Sequence, residues 1–181
     1  MQRWRVPLGF ACAALFFLLA RPRPLTLIVG AVIALPGLAL RAWAVGCLRK
    51  NEALATDGPY AYTRNPLYLG SATMALGAAI AMLSWISASL LVLHFAVFYF
   101  TVMRREEKEL QVRHGAAFQE YARAVPLFLP RLRPSKWPAG SSGAFSFAQY
   151  KKNHEWHAAL GFLLLLGVLV SIWYFRRAPS L

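Results

Sequence analysis

The chain has 181 residues, 58% of them hydrophobic and 15% charged, and a formal net charge of +13. A composition this apolar excludes an ordinary soluble domain and points to a membrane protein. The basic residues crowd between Arg104 and Lys152, bracketed by apolar runs; that is the pattern of a cytoplasmic membrane loop, with anionic lipid headgroups as counter-charge and no nucleic acid as partner.

A spanning helix needs about 20 mostly apolar residues. Residues 4–20 read as a first span. Arg3 and Arg5 followed by an apolar run resemble the start of a signal sequence, but no small-x-small cleavage site precedes Arg21, so we expect the helix to be retained. The Arg21-Pro22-Arg23-Pro24 stretch stops it, because proline removes a backbone donor. Residues 25–46 are the second span, with a kink expected at Pro36-Gly37. Residues 66–83 are the third. Ser84 marks a tight turn into a fourth at 85–103, and so short a connection predicts an antiparallel hairpin. Gly70, Gly77 and the alanines of the third span let a neighbouring backbone approach closely.

Residues 104–123 read as a separate polar helix lying along the headgroups, its weak apolar stripe made of Leu110, Ala117, Phe118 and Tyr121. Pro126, Pro130 and Pro134 end it, and residues 137–146 form a Pro/Gly/Ser-rich linker. A fifth span covers 156–175, within an extra C-terminal helix at about 154–176. Cys12 and Cys47 make neither a disulfide framework nor a metal pair. The expected fold is one all-α, polytopic transmembrane bundle over residues 1–181, with about five spans and an interfacial cytoplasmic helix. Orientation follows the densest basic stretch, after the fourth span, which belongs in the cytoplasm.

The polar residues with chemistry in them form two clusters. Gly58-Pro59-Tyr60 opens a turn, and Thr63-Arg64-Asn65-Pro66 starts the third span, with Asn65 as N-cap and Pro66 at the first helical position. Taken alone, this loop has a plain structural reading: Tyr60, Tyr62 and Tyr68 as interfacial aromatics and Arg64 as a snorkelling headgroup contact. Glu106 and Glu107 follow the fourth span, at the same end of the hairpin. Local pairing of Arg105 with Glu109 at helical spacing leaves both unassigned. A polar pocket shared with Arg64 gives at least one of them a use. Arg41 near the end of the second span is costly if it faces lipid, and is either a site residue or a snorkelling arginine. His154 and His157, with Glu155 between them, read as a solvated helix start, and no metal site is expected.

The stretch GPYAYTRNPLYLG (58–70), then REEKEL (105–110), then HGAAFQEYARAVPLFLP (114–130) resembles the isoprenylcysteine carboxyl methyltransferase family and its phospholipid methyltransferase relatives. The similarity runs from about residue 41 to 131. It implies an S-adenosylmethionine pocket near the cytoplasmic interface, with Gly58, Pro59, Tyr60, Arg64, Asn65, Pro66, Tyr68, Gly70, Glu106 and Glu107 as cofactor-site residues. Arg64 and Glu107 are the residues implied closest to the chemistry, and Tyr121 with residues 125–130 the cover. Asn65 stands where the family pattern has histidine. Asparagine keeps a hydrogen bond but takes up no charge. The implied activity is methyl transfer to a lipophilic acceptor, small-molecule or lipid-modified, with the site facing the cytoplasm; the alanine- and arginine-rich composition points to a bacterial inner membrane. A reductase of the sterol reductase type using NADPH, and a non-catalytic membrane scaffold, are the alternatives. Neither the acceptor nor the oligomeric state is legible.

Overall fold

The computed structural model describes residues 17–49, 53–135 and 144–177. Among them every regular element is helical: α1 (Pro24–Cys47), a 3₁₀ turn (Gly58–Ala61), α2 (Pro66–Met82), α3 (Trp85–His94), a π-helical turn (Phe95–Tyr99), α4 (Phe100–Ala124), α5 (Phe147–Lys152) and α6 (Trp156–Arg177). Three helical stretches are long and apolar enough to cross a membrane: Pro24–Cys47, Trp85–Ala124 and Trp156–Arg177. Pro66–Met82 is apolar but shorter. The span expected at 4–20 lies outside the described residues except for its last turn, and most of the linker at 137–146 lies outside them as well.

Large apolar side chains such as Leu25, Ile28 and Val32 on α1 and Leu163 and Leu164 on α6 are exposed. Such surfaces suit a lipid environment, which offers apolar groups no penalty for exposure. Where the helices touch, small residues replace them. A Cβ on Gly37 would lie 2.9 Å from Thr73 Cβ, one on Gly70 would lie 2.6 Å from Gly37 O, and Gly30 and Gly77 face each other's carbonyls. As α1 rises in number α2 falls, so the pair is antiparallel. This α1–α2 seam is the principal helix contact. The neighbour that the glycines of the third span admit is therefore the second span. The hairpin turn itself is present: Leu83 takes a left-handed conformation (φ 47°), and Ser84 Oγ accepts from Ser87 N at 3.3 Å at the start of α3.

Helix α1 is one helical run with Pro36 inside it, and the neighbouring Gly37 is packed on α2. One expectation is corrected. Residues 104–123 are not a separate helix: the helical run is continuous from Trp85 to Ala124, 40 residues. No proline or glycine stands near Met103 to break it. Up to Gly115 about 30 residues at about 1.5 Å each reach roughly 45 Å, more than the hydrocarbon thickness, so the polar end of the run must leave the apolar slab. The real break is at Gly115 (φ 52°, ψ −123°), a conformation open to glycine. It turns the last stretch back so that Phe118, Tyr121 and Val125 pack on Leu54. Of the expected stripe, Ala117 stays exposed.

At the opposite end, Arg176 Nη2 donates to Leu18 O at 2.9 Å and Arg21 N donates to Met82 O at 2.8 Å. Ala20, Leu27, Ala78, Ala81, Met82 and Leu169 form the core there. α6 thus spans the bundle from the polar-loop end, at Trp156, to this one.

Candidate functional site

The loop ahead of α2 is built by backbone geometry. Gly58 has φ +59°, and a Cβ there would meet Cys47 Sγ at 2.9 Å and Trp43 Nε1 at 3.3 Å. Pro59 and Tyr60 are buried behind it. The loop is then latched to the segment after α4. Tyr121 Oη donates to Tyr60 O at 2.8 Å, Arg64 N to Pro126 O at 2.9 Å, and Arg131 N to Tyr62 O at 3.0 Å. Buried Thr63 donates through Oγ1 to Phe128 O at 2.8 Å. Asn65 occupies the N-cap position of α2 but its side chain does not cap; Nδ2 donates instead to Leu127 O at 2.9 Å. Pro66 follows in the first turn, where its missing N–H costs nothing.

The glutamates come to this loop from α4. Glu107 Oε1 is ion-paired with Arg64 Nη1, and its Oε2 accepts from Arg104 Nη1 at 3.3 Å. Glu106 Oε1 accepts from Tyr68 Oη at 2.8 Å. Neighbouring helical residues diverge, and here the divergence carries one carboxylate to residue 64 and the other to residue 68. Arg105 and Glu109 pair at 2.9 Å on the exposed face. Tyr99, in the π-helical turn, meets the Tyr68 ring edge-on with centroids 5.3 Å apart.

A cavity of about 420 Å³ opens between these elements, within the range of small-molecule sites. Tyr60, Arg64, Asn65, Pro66, Tyr68, Glu106 and Glu107 all line it. Gly58, Pro59 and Gly70 do not; they shape the turn and the α1–α2 seam that hold the lining residues. Four arginines (41, 49, 64 and 113) and three glutamates (106, 107 and 109) share the wall. Two wall atoms, Tyr60 Oη and Arg64 Nε, are buried with no hydrogen-bond partner among the described residues. Burial foremost, with Tyr121, Cys47 and Glu106 nearby, pushes the Tyr60 phenol well above its ordinary range, so it is a neutral donor.

With this geometry in hand, comparison with known proteins is decisive at the level of family. The phospholipid methyltransferase family model matches residues 25–117. The chain belongs to that family. Its relatives include the cobalt-zinc-cadmium resistance protein CzcN of Cupriavidus metallidurans, 35% identical over 160 residues, which are 83% of this chain and 71% of that one. The nickel-cobalt-cadmium resistance protein NccN of Alcaligenes xylosoxydans xylosoxydans is 39% identical over 84 residues (46% and 39% of the two chains). Protein-S-isoprenylcysteine O-methyltransferase of Schizosaccharomyces pombe is 33% identical over 81 residues (45% and 34%). No solved structure matches the chain significantly.

Arg49, Leu54 and Arg113 line the cavity from outside the three matching stretches, whereas Leu110, His114, Phe118 and Tyr121 belong to them. Leu54, Leu110, Phe118 and Tyr121 supply an apolar side of the cavity, and Arg113 and His114 part of its rim. Arg41 does not snorkel: it lines the cavity and forms an ion pair with Glu155, Nε to Oε1 at 2.6 Å. Glu155 is therefore turned inward, away from the histidines beside it. Among the described residues no three His, Cys, Asp or Glu side chains are grouped to hold a metal ion. The His94 side chain lies outside the described residues.

Proposed function

We propose that this chain is an integral membrane methyltransferase that uses S-adenosylmethionine to methylate a lipophilic acceptor, through a carboxylate or a lipid headgroup, at the cytoplasmic bilayer surface. The observation that carries this reading is the convergence of Arg64, Tyr68, Glu106 and Glu107 on one cavity of about 420 Å³. The two metal-resistance relatives are named for a phenotype and not for a reaction. The methyl-transfer reading therefore rests on the family and on the yeast methyltransferase.

The donor set fits the cofactor. An α-ammonium and a ribose diol call for carboxylates, available in Glu106 and Glu107. An α-carboxylate calls for a guanidinium, available in Arg64, whose buried Nε has no partner. Adenine calls for an apolar wall with a hydrogen-bond donor, available in Phe118 and the unpartnered Tyr60 hydroxyl. Once bound, the cofactor supplies an electrophilic methyl group on a sulfonium.

The protein's own work is then alignment and exclusion of water. Arg64, held by Glu107, orients an anion; Tyr68, held by Glu106, closes the polar side. A carboxylate acceptor is already ionised near neutral pH and needs no base. That suits a site where Asn65 spends its amide on Leu127 O and takes up no proton. The acceptor enters sideways from lipid. Five crossings complete the topology: the three long apolar helices, the shorter Pro66–Met82, and residues 4–20. The basic stretch around the site supports a cytoplasmic location for that end, and the alanine- and arginine-rich composition supports a bacterial inner membrane.

The test has two parts. S-adenosylhomocysteine, and not NADPH, raises the melting temperature of the purified protein. Labelled methyl groups pass from S-adenosylmethionine into a membrane lipid extract, with the product identified by mass. Stabilisation by NADPH alone transfers the chain to the reductase reading, and no response to either nucleotide leaves a scaffold.

A further inference from the structure

The C-terminal segment lies beyond the family match, which ends at residue 117, yet it contacts Arg41 in the cavity wall. Glu155 is 7% exposed. Its two oxygens accept from Arg41 Nε at 2.6 Å and Nη2 at 3.0 Å, and Arg41 Nη1 donates to Ser71 Oγ at 2.5 Å and Leu67 O at 3.4 Å. The guanidinium is thus fixed along both edges, by α2 and by the turn ahead of α6. That turn is itself anchored. Asn153 Nδ2 donates to Val45 O at 3.3 Å and Leu48 O at 3.2 Å, satisfying carbonyls at the C-terminal end of α1. Ser146 N donates to Gly46 O at 2.9 Å. His154, in a left-handed conformation (φ 54°), redirects the chain immediately before Glu155.

We propose that Glu155 is a positioning residue of the cofactor site. It fixes Arg41 in the cavity wall and cancels its charge so that a cation can bind beside it. This rests on the methyltransferase reading. Both half-buried arginines in the wall, 41 and 64, carry one carboxylate from elsewhere in the chain, Glu155 and Glu107. Among the described residues Glu155 is the ion-pair partner of Arg41. Without it, a bare guanidinium in a low-dielectric wall repels a sulfonium. The C-terminal helix is then part of the binding machinery, not an appended anchor.

S-adenosylmethionine and S-adenosylhomocysteine differ by one methyl group and one positive charge on sulfur, so the ratio of their affinities reads the local potential. The experiment measures both dissociation constants by calorimetry on the full chain in nanodiscs. Wild type is compared with Glu155→Gln, Arg41→Met and the double variant Arg41→Met/Glu155→Met. Glu155→Gln is expected to shift the ratio against the sulfonium by about tenfold, and Arg41→Met to shift it the other way by a similar factor. The double variant buries no unpaired charge and returns the ratio to within about twofold of wild type. If one single variant fails to fold, the other still gives a signed shift. Equal changes for both ligands in every variant reduce Glu155 to a structural anchor and overturn the proposal. If wild type binds neither nucleoside, the methyltransferase reading itself falls and takes this proposal with it.

Discussion

Arg64 and Glu107, 43 residues apart in the chain, are joined by an ion pair on the wall of the cavity. Each side chain is 15% exposed, so the pair is poorly screened and removing one partner leaves a charge that water reaches only in part. Glu107→Ala is expected to weaken S-adenosylhomocysteine binding by more than about tenfold, since charge-assisted contacts of this kind carry most of the polar recognition. The loop keeps its other latches through Thr63, Asn65 and Tyr121, so the helical fold survives with a loss of about 1–3 kcal/mol. Calorimetry and thermal melts read the two effects separately. Unchanged binding in a folded variant removes Glu107 from the site.

Asn65 separates a hydrogen-bonding role from a proton-carrying one. Its amide donates to Leu127 O and holds the segment that covers the site. Asn65→His keeps a ring N–H donor and should retain most of the stability. Asn65→Asp turns a donor into an acceptor facing a carbonyl oxygen, in a residue only 9% exposed, and should cost about 1–3 kcal/mol. Chemical denaturation in detergent compares the two. Equal stability of the histidine and aspartate variants means that the amide is not the tether.

Those two residues also show where the sequence was informative. Helices and their polar ends were readable because apolar runs and charges are local properties of the chain. The meeting of Arg64 with Glu107 was readable because two clusters flanked neighbouring spans. The amide of Asn65 was not, because an N-cap position and a long-range tether look alike until Leu127 is placed. Gly58 and Gly70 sat inside the motif but serve the backbone, and a motif does not say which of its members touch a ligand. Glu155 meets Arg41 across 114 residues, a pairing that no local pattern encodes.

Glycines on this fold should divide by what faces them. A Cβ on Gly77 would run into Gly30 O and lie 2.8 Å from Ala34 Cβ. Gly77→Ala therefore forces α1 and α2 apart and is expected to cost about 1–3 kcal/mol. Gly167 has nothing within 4 Å of the same position, and Gly167→Ala should gain up to about 1 kcal/mol by restricting the unfolded chain. Melting temperatures in one detergent give the comparison. A Gly77→Ala protein as stable as wild type dismisses the seam as the organising contact.

Tyr60 is where stability and binding should trade against each other. Its hydroxyl is buried on the cavity wall with no partner among the described residues, and an unsatisfied buried donor costs stability. Tyr60→Phe removes that cost and should raise the ligand-free melting temperature. The same change deletes a donor for the nucleoside, so affinity for S-adenosylhomocysteine should fall by about threefold to tenfold. The pH dependence follows from the raised phenol pKa, caused foremost by burial. Above about pH 10 an unfolded chain releases this proton while the folded chain keeps it. The unfolded state then binds fewer protons, so stability present below that pH is lost as pH rises past it. Tyr60→Phe should flatten this alkaline decline. A variant with the wild-type slope and wild-type affinity places the hydroxyl outside both roles.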